Sequence, residues 1–461
     1  MTPERALLVL GLLFGLLFLF VTPPYQVPDE PHHVLRSYHV GEGHLRTAPA
    51  GGLDGVPASL PDSAAAFAQK LPFNPEAKIA PGDILASWRR PLAPDERREI
   101  WIFGTYLPLS YLPQAAGAAA ARLLGLPALG VLYLARLGNL LACLALAWAA
   151  LRVAPFFRWT LALLALTPMA LFLRSSASPD AVTNALAALL LAAVLALAWG
   201  PEGDPARRRR DLLILFAAAL GLVLCKGGGY ALFSLLILIV PRHRLAASQR
   251  RAAVLTAGLL LATLAGFALS AWTARQSYDA GALRPGAHLD PQAQAEIVLA
   301  DPLRFAGLVA GDYLQHGLRY LYQFVGNLGW LDTPLPLAAA AAWSLLLLAV
   351  AIGDGPAGAP LSLRQRLVLL AVVAGTLAAI SASQYLTWTP VGAGRIEGLQ
   401  GRYFIPAAPL VLLLFTRRRS SSDAPATAAP FSPRAGWPLF AAAGALLTTA
   451  LTCTVLRYYV D

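Results

Sequence analysis

Residues 6–22, ALLVLGLLFGLLFLFVT, form an apolar block without a single charged side chain. A helix needs roughly 17–25 such residues to cross a hydrocarbon core of about 30 Å. Similar blocks recur along the chain, in which 57% of the residues are hydrophobic and only 13% are charged. Because lipid offers no hydrogen bonds, the backbone of each block must pair within its own helix. The sequence therefore predicts an all-α integral membrane protein, with residues 1–461 as a single polytopic domain.

The apolar blocks predict about 11 (10–13) transmembrane helices. The first block lacks a small-x-small cleavage site, so it is interpreted as an uncleaved span and not as a signal peptide. The two blocks between 211 and 241 are short, and a tilted or re-entrant hairpin is the alternative for them. We place the spans near 6–22, 128–151, 159–173, 180–199, 211–225, 228–241, 252–273, 335–352, 365–386, 403–416 and 436–457.

The distribution of arginine predicts the orientation. Arginines cluster in short connections, at 207–210, 242–251 and 417–419, and cytoplasmic loops are the ones enriched in arginine and lysine. The enrichment of arginine in cytoplasmic loops explains much of the net charge of +11, so this charge does not by itself indicate nucleic-acid binding. The N-terminus is then cytoplasmic, residues 23–127 and 274–334 form large outer loops, and the Pro- and Ser-rich stretch 418–435 is a disordered cytoplasmic linker.

Two further helices are predicted at the outer surface. Residues 106–126, YLPLSYLPQAAGAAAARLLGL, can be a twelfth span or an interfacial helix. A twelfth span would invert every later loop and expose the arginines of 207–210 outside, so we prefer the interfacial helix in the first loop. Residues 302–325 of the second large loop show the apolar periodicity of an amphipathic interfacial helix.

The first outer loop carries the strongest candidates for chemistry. Asp29 and Glu30 lie between two prolines just after the first span, where a carboxylate can act as a general base near the headgroups. The alternative is that the two acids cap the helix that follows. His32 and His33 come next, and together with the two acids they make a divalent metal site possible, although adjacent ligands seldom converge.

Two later outer turns contribute further charges. Asp180 opens the fourth span and is explained equally by helix-start chemistry, whereas Arg174 either snorkels outward or holds a phosphate. Lys226 precedes three glycines, whose backbone can approach an anion closely, and a snorkelling lysine in a tight turn is the alternative. Arg136, near the middle of the second span, is an isolated intramembrane charge.

The remaining outer loops return polar and aromatic groups to the membrane edge. Trp330 and Asp332 precede the eighth span, Arg395 and Arg402 precede the tenth, and Tyr403 begins it. Arginine at headgroup depth can bind phosphate, and snorkelling explains it as well. Conspicuous polar motifs thus gather at the outer ends of spans, whereas a transporter places them in mid-membrane. The pattern indicates binding or chemistry at the outer membrane surface.

Six motifs carry a resemblance over nearly the whole chain. The sequence resembles a bacterial family of predicted multi-pass membrane proteins of unknown function, and more distantly the GT-C-fold glycosyltransferases that use polyprenyl-phosphate-linked sugars. The motifs are VPDEPHH (27–33), YLPLSYLPQ (106–114), SPDAVTN (178–184), CKGGGY (225–230), LGWLDTP (328–334) and QGRYFIPAAPL (400–410). The Lys-Pro-Pro-Leu motif of many GT-C enzymes is replaced here by Gly104-Thr105-Tyr106-Leu107-Pro108-Leu109.

The resemblance implies a membrane glycosyltransferase in the bacterial inner membrane with a periplasmic active face. It would move a sugar from a polyprenyl-phosphate donor to a cell-envelope glycan acceptor, with no certain cofactor. By the resemblance, Asp29 is the general base or orients the acceptor, Glu30 is its helper and Asp180 is the second acidic position. We also expect contacts to the acceptor or within the loops from His32, His33, Trp330 and Asp332. The donor phosphate would be bound by Arg174, Lys226, Arg395, Arg402 and Tyr403. A non-catalytic glycan-binding, flipping or polymerisation partner, or a transporter, is the alternative.

Overall fold

The structure is a computed structural model that describes residues 1–356, 360–417 and 434–460. Of the described residues, 70% are helical and almost none form sheet. Residues 418–433 of the predicted cytoplasmic linker lie outside the described residues. An all-α membrane fold follows, because helices make up most of the described residues and six of them are long and apolar enough to cross a membrane.

Twenty α-helices and two short antiparallel strand pairs make up the described chain. Three 3₁₀-helices join them, at Pro108–Tyr111, Ala231–Ile239 and Gly401–Phe404. Strands β1 (Asp54–Pro57) and β2 (Arg97–Ile100) pair with Asp54 opposite Ile100, and β3 (Asn327–Leu328) pairs with β4 (Thr333–Pro334). The helices are α1 (Pro3–Val21), α2 (Glu30–Gly41), α3 (Ser59–Ala68), α4 (Pro81–Trp88), α5 (Leu112–Leu123), α6 (Ala128–Val153), α7 (Arg158–Ala165), α8 (Pro168–Arg174), α9 (Asp180–Trp199), α10 (Pro205–Cys225), α11 (Gly227–Tyr230), α12 (Arg242–Leu245), α13 (Gln249–Ser277), α14 (Ala280–Leu283), α15 (Pro291–Ala300), α16 (Pro302–Gly326), α17 (Leu337–Gly353), α18 (Leu363–Thr387), α19 (Ala408–Leu413) and α20 (Gly436–Tyr459).

Six helices of the described chain are long and apolar enough to cross a membrane: α1, α6, α9, α13, α18 and α20. The other five predicted spans are also helical, but they are shorter, broken or less apolar. The predicted span 159–173 is interrupted at Thr167, because Pro168 begins a new helix there. The 228–241 span is one turn of α11 followed by a 3₁₀-helix. The count of eleven therefore remains a prediction.

Helix α5 occupies the segment that could have been a twelfth span. It has 12 residues, which corresponds to about 18 Å and is too short for a hydrocarbon core of about 30 Å. It packs along the first half of α6 at very close range, since a Cβ on Gly117 would lie 2.0 Å from the carbonyl oxygen of Leu134. Only glycine allows this approach, and α5 is thereby fixed against the bundle.

The connections between helices meet in two groups at opposite ends of the bundle. At one end, the first large loop touches the end of α20, where Ile79 N–H donates to the carbonyl of Tyr458 over 2.9 Å. At the other end, Arg158 pairs with Glu4, and the backbone N–H of Phe157 donates to the carbonyl of Asp354. Segments that the arginine distribution assigns to one side of the membrane thus contact each other.

Cysteine labelling tests the assignment of these two ends. With native cysteines removed, an impermeant thiol reagent applied to intact spheroplasts is expected to label Arg395→Cys, which replaces a side chain 79% exposed at the predicted outer end. Arg208→Cys should be labelled only after the membrane is permeabilised, because the positive-inside rule places it in the cytoplasm. Labelling of position 208 in intact spheroplasts would contradict the topology.

A buried carboxylate at the predicted cytoplasmic end gives a pH-dependent stability. Asp354 is fully buried and accepts hydrogen bonds from the backbone N–H and hydroxyl of Thr160, at 2.9 and 3.1 Å. Burial raises the pKa of Asp354 to about 7, and the hydrogen bonds from Thr160 only partly offset that effect. The folded protein therefore favours the protonated carboxyl, and this contribution to stability is lost as the pH rises from about 4 to about 7.

Asp354→Asn is expected to raise the thermal unfolding temperature in detergent more at pH 8 than at pH 5. Asparagine still accepts from Thr160 but carries no charge that burial disfavours. Asp332→Asn is the control: it breaks an ion pair with Arg457 at the opposite end and should lower the unfolding temperature at both pH values. An equal effect of Asp354→Asn at both pH values would contradict the assignment.

Candidate functional site

Four charged side chains from distant parts of the sequence meet at the predicted outer end of the bundle. Arg402 Nη2 lies 2.8 Å from Asp29 Oδ2, across 373 residues of sequence. Lys226 Nζ lies 2.7 Å from Asp180 Oδ1, and Arg402 Nε lies 3.8 Å from Asp180 Oδ2. We call Asp29, Asp180, Lys226 and Arg402 the charge cluster. Two acids and two bases that the sequence analysis selected separately thus form one site.

Asp29 is the most accessible member of the charge cluster. Its side chain is 46% exposed, and its backbone has φ 65° and ψ 5°, the left-handed conformation that Asp adopts more readily than most residues. It precedes α2, yet its carboxylate makes no capping hydrogen bond to that helix and instead contacts Arg402. The side chain of Asp29 therefore does not cap helix α2, contrary to what the alternative interpretation predicted.

The electrostatic surroundings of Asp29 favour the ionised form. Burial raises the pKa of Asp29, but the positive charge of Arg402 and the hydrogen bond from Arg402 outweigh that effect. The pKa of Asp29 consequently lies below its ordinary value. While Arg402 is in place, the carboxylate is ionised at neutral pH but is a weak base.

Asp180 lies deeper, at the first residue of α9. Its side chain is 10% exposed and sits between the two basic members, with Lys226 at hydrogen-bond distance on one oxygen. Asp180 is an acidic residue in the first turn of α9, as helix-start chemistry predicts, and its two oxygens also pair with Lys226 and Arg402. A carboxylate held by two cations in this way orients both of them.

Arg402 is a buried guanidinium with hydrogen-bonding capacity to spare. Its side chain is 3% exposed, and its Nε and Nη1 atoms have no hydrogen-bond partner in the described structure. Gly401 fixes its place, because a Cβ there would lie 2.2 Å from the carbonyl oxygen of Tyr320. Buried polar groups are nearly always paired, so these two unsatisfied donors beside Asp29 are available to an acceptor-rich ligand.

Two tyrosines line the basic side of the cluster. Lys226 Nζ lies 4.9 Å from the centre of the Tyr403 ring and 5.1 Å from that of Tyr106, and Arg402 also lies over Tyr403, at 5.3 Å. Such cation–π contacts hold the two bases in place. Tyr230 donates to the backbone carbonyl of Tyr403 over 2.7 Å and connects the lysine turn to the arginine loop.

The two histidines after Glu30 lie beside Asp29 but are not arranged as metal ligands. His33 Nδ1 is 3.0 Å from the hydroxyl of Tyr111, and His32 packs edge-on against Trp101. Burial lowers the pKa of His33 to about 4 against the opposing effect of Asp29, so His33 is neutral at neutral pH. Within the described ranges, no three His, Cys, Asp or Glu side chains converge to hold a metal ion.

Glu30 points away from the cluster, although it follows Asp29 directly. Its side chain is 0% exposed and forms a two-pronged ion pair with Arg136, at 2.9 and 2.6 Å. The structure therefore places Glu30 against the middle of α6, where it cannot touch a ligand. Glu30 can therefore help Asp29, as the sequence analysis predicts, only by fixing the backbone beside it.

The structure does not bring Arg174 and Arg395 to the cluster. Arg174 is buried at the end of α8 and donates to the backbone carbonyl of Ala165, which is the last residue of α7. The negative end of that helix dipole accounts for a buried arginine there. Arg395 is 79% exposed and pairs with Glu397 at 2.8 Å.

Trp330 and Asp332 hold the outer loops together. Trp330 Nε1 donates to the carbonyl of Tyr25 over 3.2 Å, and Asp332 pairs with Arg457 at 2.9 Å. Asp332 also accepts from the backbone N–H of Phe73 at 3.1 Å. These contacts fix the first loop against the end of α20, and none of them joins the charge cluster.

Sequence reasoning assigned Tyr106 only to the membrane interface and overlooked Tyr230. Both lie against the basic residues of the cluster. The available signal was their place in two of the six motifs, YLPLSYLPQ and CKGGGY. Arg136 was noticed as an isolated intramembrane charge, but nothing in the sequence joined it to Glu30.

A protein-family model matches most of the chain, including the charge cluster. A family model described as "Predicted membrane protein (DUF2142)" matches residues 12–411, a range that contains all four members of the cluster. No curated protein matches the chain, and no solved structure matches it.

Proposed function

Since the chain belongs to the DUF2142 family of predicted membrane proteins, we propose that it is a membrane glycosyltransferase that uses a polyprenyl-phosphate-linked sugar. The acceptor is a periplasmic cell-envelope glycan. The observation that carries this proposal is the convergence of an open carboxylate, Asp29, with two bases at the end of an apolar bundle. The phosphate of a lipid-linked donor would lie at the membrane surface, which is where the end of the apolar bundle is expected.

The basic pair suits the phosphate of the donor. The Nε and Nη1 atoms of Arg402 make no hydrogen bond, so the guanidinium has N–H donors available for phosphate oxygens. Lys226 adds a second positive charge against Asp180, and Tyr403 keeps both bases facing the same side. As the bond between sugar and phosphate breaks, these charges stabilise the departing polyprenyl phosphate.

Asp29 accepts the proton of the acceptor hydroxyl. In the proposed step, the acceptor oxygen bonds to the anomeric carbon, the bond from that carbon to the phosphate oxygen breaks, and the hydroxyl proton moves to Asp29. Arg402 is the ion-pair partner of Asp29 in the structure. When the donor phosphate draws Arg402 away, the pKa of Asp29 rises and the carboxylate becomes a stronger base.

The proposed membrane setting follows from the charge distribution. The arginine-rich connections are cytoplasmic, so the charge cluster faces the periplasm of a bacterial inner membrane. The bilayer supplies the lipid-linked donor from the outer leaflet. The acceptor approaches from the aqueous side, where Asp29 is exposed.

One observation favours a second candidate, a protein that binds a lipid-linked glycan without transferring the sugar. Both carboxylates are already paired with bases, and the low pKa of Asp29 makes it a poor base in this state. Such a protein would assist flipping or polymerisation, and its function would depend on the bases and not on the basicity of Asp29.

Glycan analysis of a deletion strain separates the two candidates. Complementation with the wild type is expected to restore a missing envelope glycan, whereas Asp29→Asn at equal protein level should not. A transferase requires the basic oxygen that asparagine lacks. Full restoration by Asp29→Asn would favour the non-catalytic candidate, and an unchanged glycan profile in the deletion strain would contradict both.

Lys226→Ala is expected to weaken binding of a polyprenyl-phosphate-sugar about 10- to 100-fold, because a charged hydrogen bond contributes about 1.5–3 kcal/mol. Arg402→Ala should have at least as large an effect. Thermal stability of Lys226→Ala should stay near that of the wild type, since Arg402 still neutralises Asp180. Equilibrium binding of labelled donor to protein in nanodiscs measures this.

Arg395→Ala is the matched control for the loss of a positive charge at the same end. Its side chain pairs with Glu397 outside the cluster, so donor affinity should not change. Unchanged affinity in Lys226→Ala, Arg402→Ala and the double variant would contradict the proposed phosphate site.

A further inference from the structure

A buried hydrogen-bonded hub lies directly behind the charge cluster. Its centre is Arg136 on α6, whose side chain is 0% exposed. Besides the ion pair with Glu30, the guanidinium donates to the backbone carbonyls of three residues at the end of α1. These are Leu19 at 2.9 Å, Thr22 at 2.9 Å and Pro23 at 3.0 Å.

The hub reaches both acidic members of the cluster through the backbone. Glu30 follows Asp29 directly, and its Oε1 atom also accepts from the backbone N–H of Ala177 at 3.1 Å. Ala177 lies three residues before Asp180, in the turn between α8 and α9. One carboxylate therefore joins the loop that carries Asp29 to the turn that carries Asp180.

A second side chain on the same face of α6 completes the arrangement. Asn139, one turn after Arg136, is fully buried and donates to the backbone carbonyl of Ser176 over 2.7 Å and to that of Ser178 over 3.1 Å. Residues three apart on a helix lie on the same face. Through Arg136 and Asn139, helix α6 thus binds both the loop that carries Asp29 and the turn that carries Asp180.

The backbone of Asp29 shows why such an anchor is needed. A non-glycine residue at φ 65° is in a sparsely populated conformation, which persists only where the surroundings enforce it. The surroundings here are Glu30 on one side and Arg402 on the other. Without the hub, the peptide between Pro28 and Glu30 would be free to relax and to turn the Asp29 carboxylate away.

We propose that Arg136, Glu30 and Asn139 are positioning residues that set the separation of Asp29 and Asp180. The distance between Asp29 and Asp180 does not depend on the proposed function, but its purpose does. In the proposed reaction, this distance places the base and the donor phosphate at the same sugar. A buried ion pair is by itself weak evidence for stability, since apolar replacements often stabilise as well. Its value here lies in the geometry that it imposes on two loops.

Hydrogen exchange measures this geometry without reference to activity. In Glu30→Gln, the amide NH₂ faces a donor of Arg136 in either orientation, so at least one hydrogen bond is lost, and those that remain to Arg136 and Ala177 lose the charge of the carboxylate. We expect amide exchange to become about 10- to 100-fold faster in 27–33 and in 174–180 together. Asp332→Asn, which breaks a buried ion pair elsewhere at the same end, should leave both segments at wild-type rates.

Asn139→Ala provides an independent variant in case Glu30→Gln folds poorly. It removes the donor to Ser176 and Ser178 but leaves the Glu30 ion pair, so exchange should accelerate in 174–180 and stay near wild type in 27–33. Acceleration confined to 27–33 in Glu30→Gln, or none in either segment, would overturn the proposal.

Kinetics connect the geometry to the proposed reaction. Turnover of Glu30→Gln should fall about 10- to 100-fold, because a displacement of about 1 Å at a reacting group can cost that much. Donor affinity should stay within about threefold of the wild type, since Lys226 and Arg402 are untouched. Normal turnover despite faster exchange would overturn the positioning role, whereas a wild type without transferase activity would refute the proposed function and leave the exchange result to decide the geometry.

Discussion

Asp29→Asn is expected to lower the rate of sugar transfer by about 10²- to 10⁴-fold, the usual contribution of a general base. Asparagine preserves the shape of the side chain and still adopts the left-handed backbone that position 29 requires. It removes the basic oxygen and the charge that pairs with Arg402. Turnover by protein reconstituted with the lipid-linked donor measures the effect.

Donor affinity of Asp29→Asn should change little, or rise slightly, because Arg402 loses a competing partner for the phosphate. Asp62→Asn is the matched control: it removes a carboxylate from an exposed ion pair with Arg98 on the same outer loop, and turnover should not change. Since the Asp29 side chain does not cap α2, a small effect cannot be attributed to a cap that asparagine replaces. Near-normal turnover of Asp29→Asn would end the catalytic assignment.

Arg136→Leu is expected to have the largest effect on stability. It leaves the charge of Glu30 buried without a partner, and breaking a buried pair in this way costs about 3–5 kcal/mol. The carbonyls of Leu19, Thr22 and Pro23 lose their donor as well. That cost is a large part of the free energy of unfolding of an ordinary domain, about 5–15 kcal/mol.

The loss should appear as a low yield of folded protein from the membrane and a strongly reduced unfolding temperature in detergent. Arg98→Leu is the control, because its ion pair with Asp62 is about half exposed and contributes at most about 1 kcal/mol. A thermal stability of Arg136→Leu equal to that of Arg98→Leu would contradict the central position of the hub.

The helical content of the chain could be predicted because lipid leaves a long apolar segment few alternatives. The predicted blocks at 6–22, 128–151 and 180–199 coincide with α1, α6 and α9 within a few residues. The block 159–173 was less predictable, because its proline divides it into α7 and α8. The position of Arg174 was not predictable for the same reason, because the break creates helix-end carbonyls that accept its hydrogen bond inside the bundle.

The four residues of the charge cluster could be selected from the sequence, but the ion pairs between them could not be predicted. Asp29, Asp180, Lys226 and Arg402 all end up at one surface, as their places at span ends suggested. Which acid meets which base depends on the order of helices around the bundle, about which a linear pattern says nothing. Glu30 could not be distinguished from Asp29 by sequence, because consecutive residues at the start of a helix point in different directions.

The charge cluster joins residues 29 and 402, and this separation has a consequence for synthesis in the cell. At about 5–20 residues per second, Arg402 leaves the ribosome about 20–75 s after Asp29. Arg136 follows Glu30 after 106 residues, so the hub can close about 5–20 s after Glu30 is made. The nascent chain can therefore fix the backbone around Asp29 early, while the cluster is completed only when nearly all of the helices have been inserted.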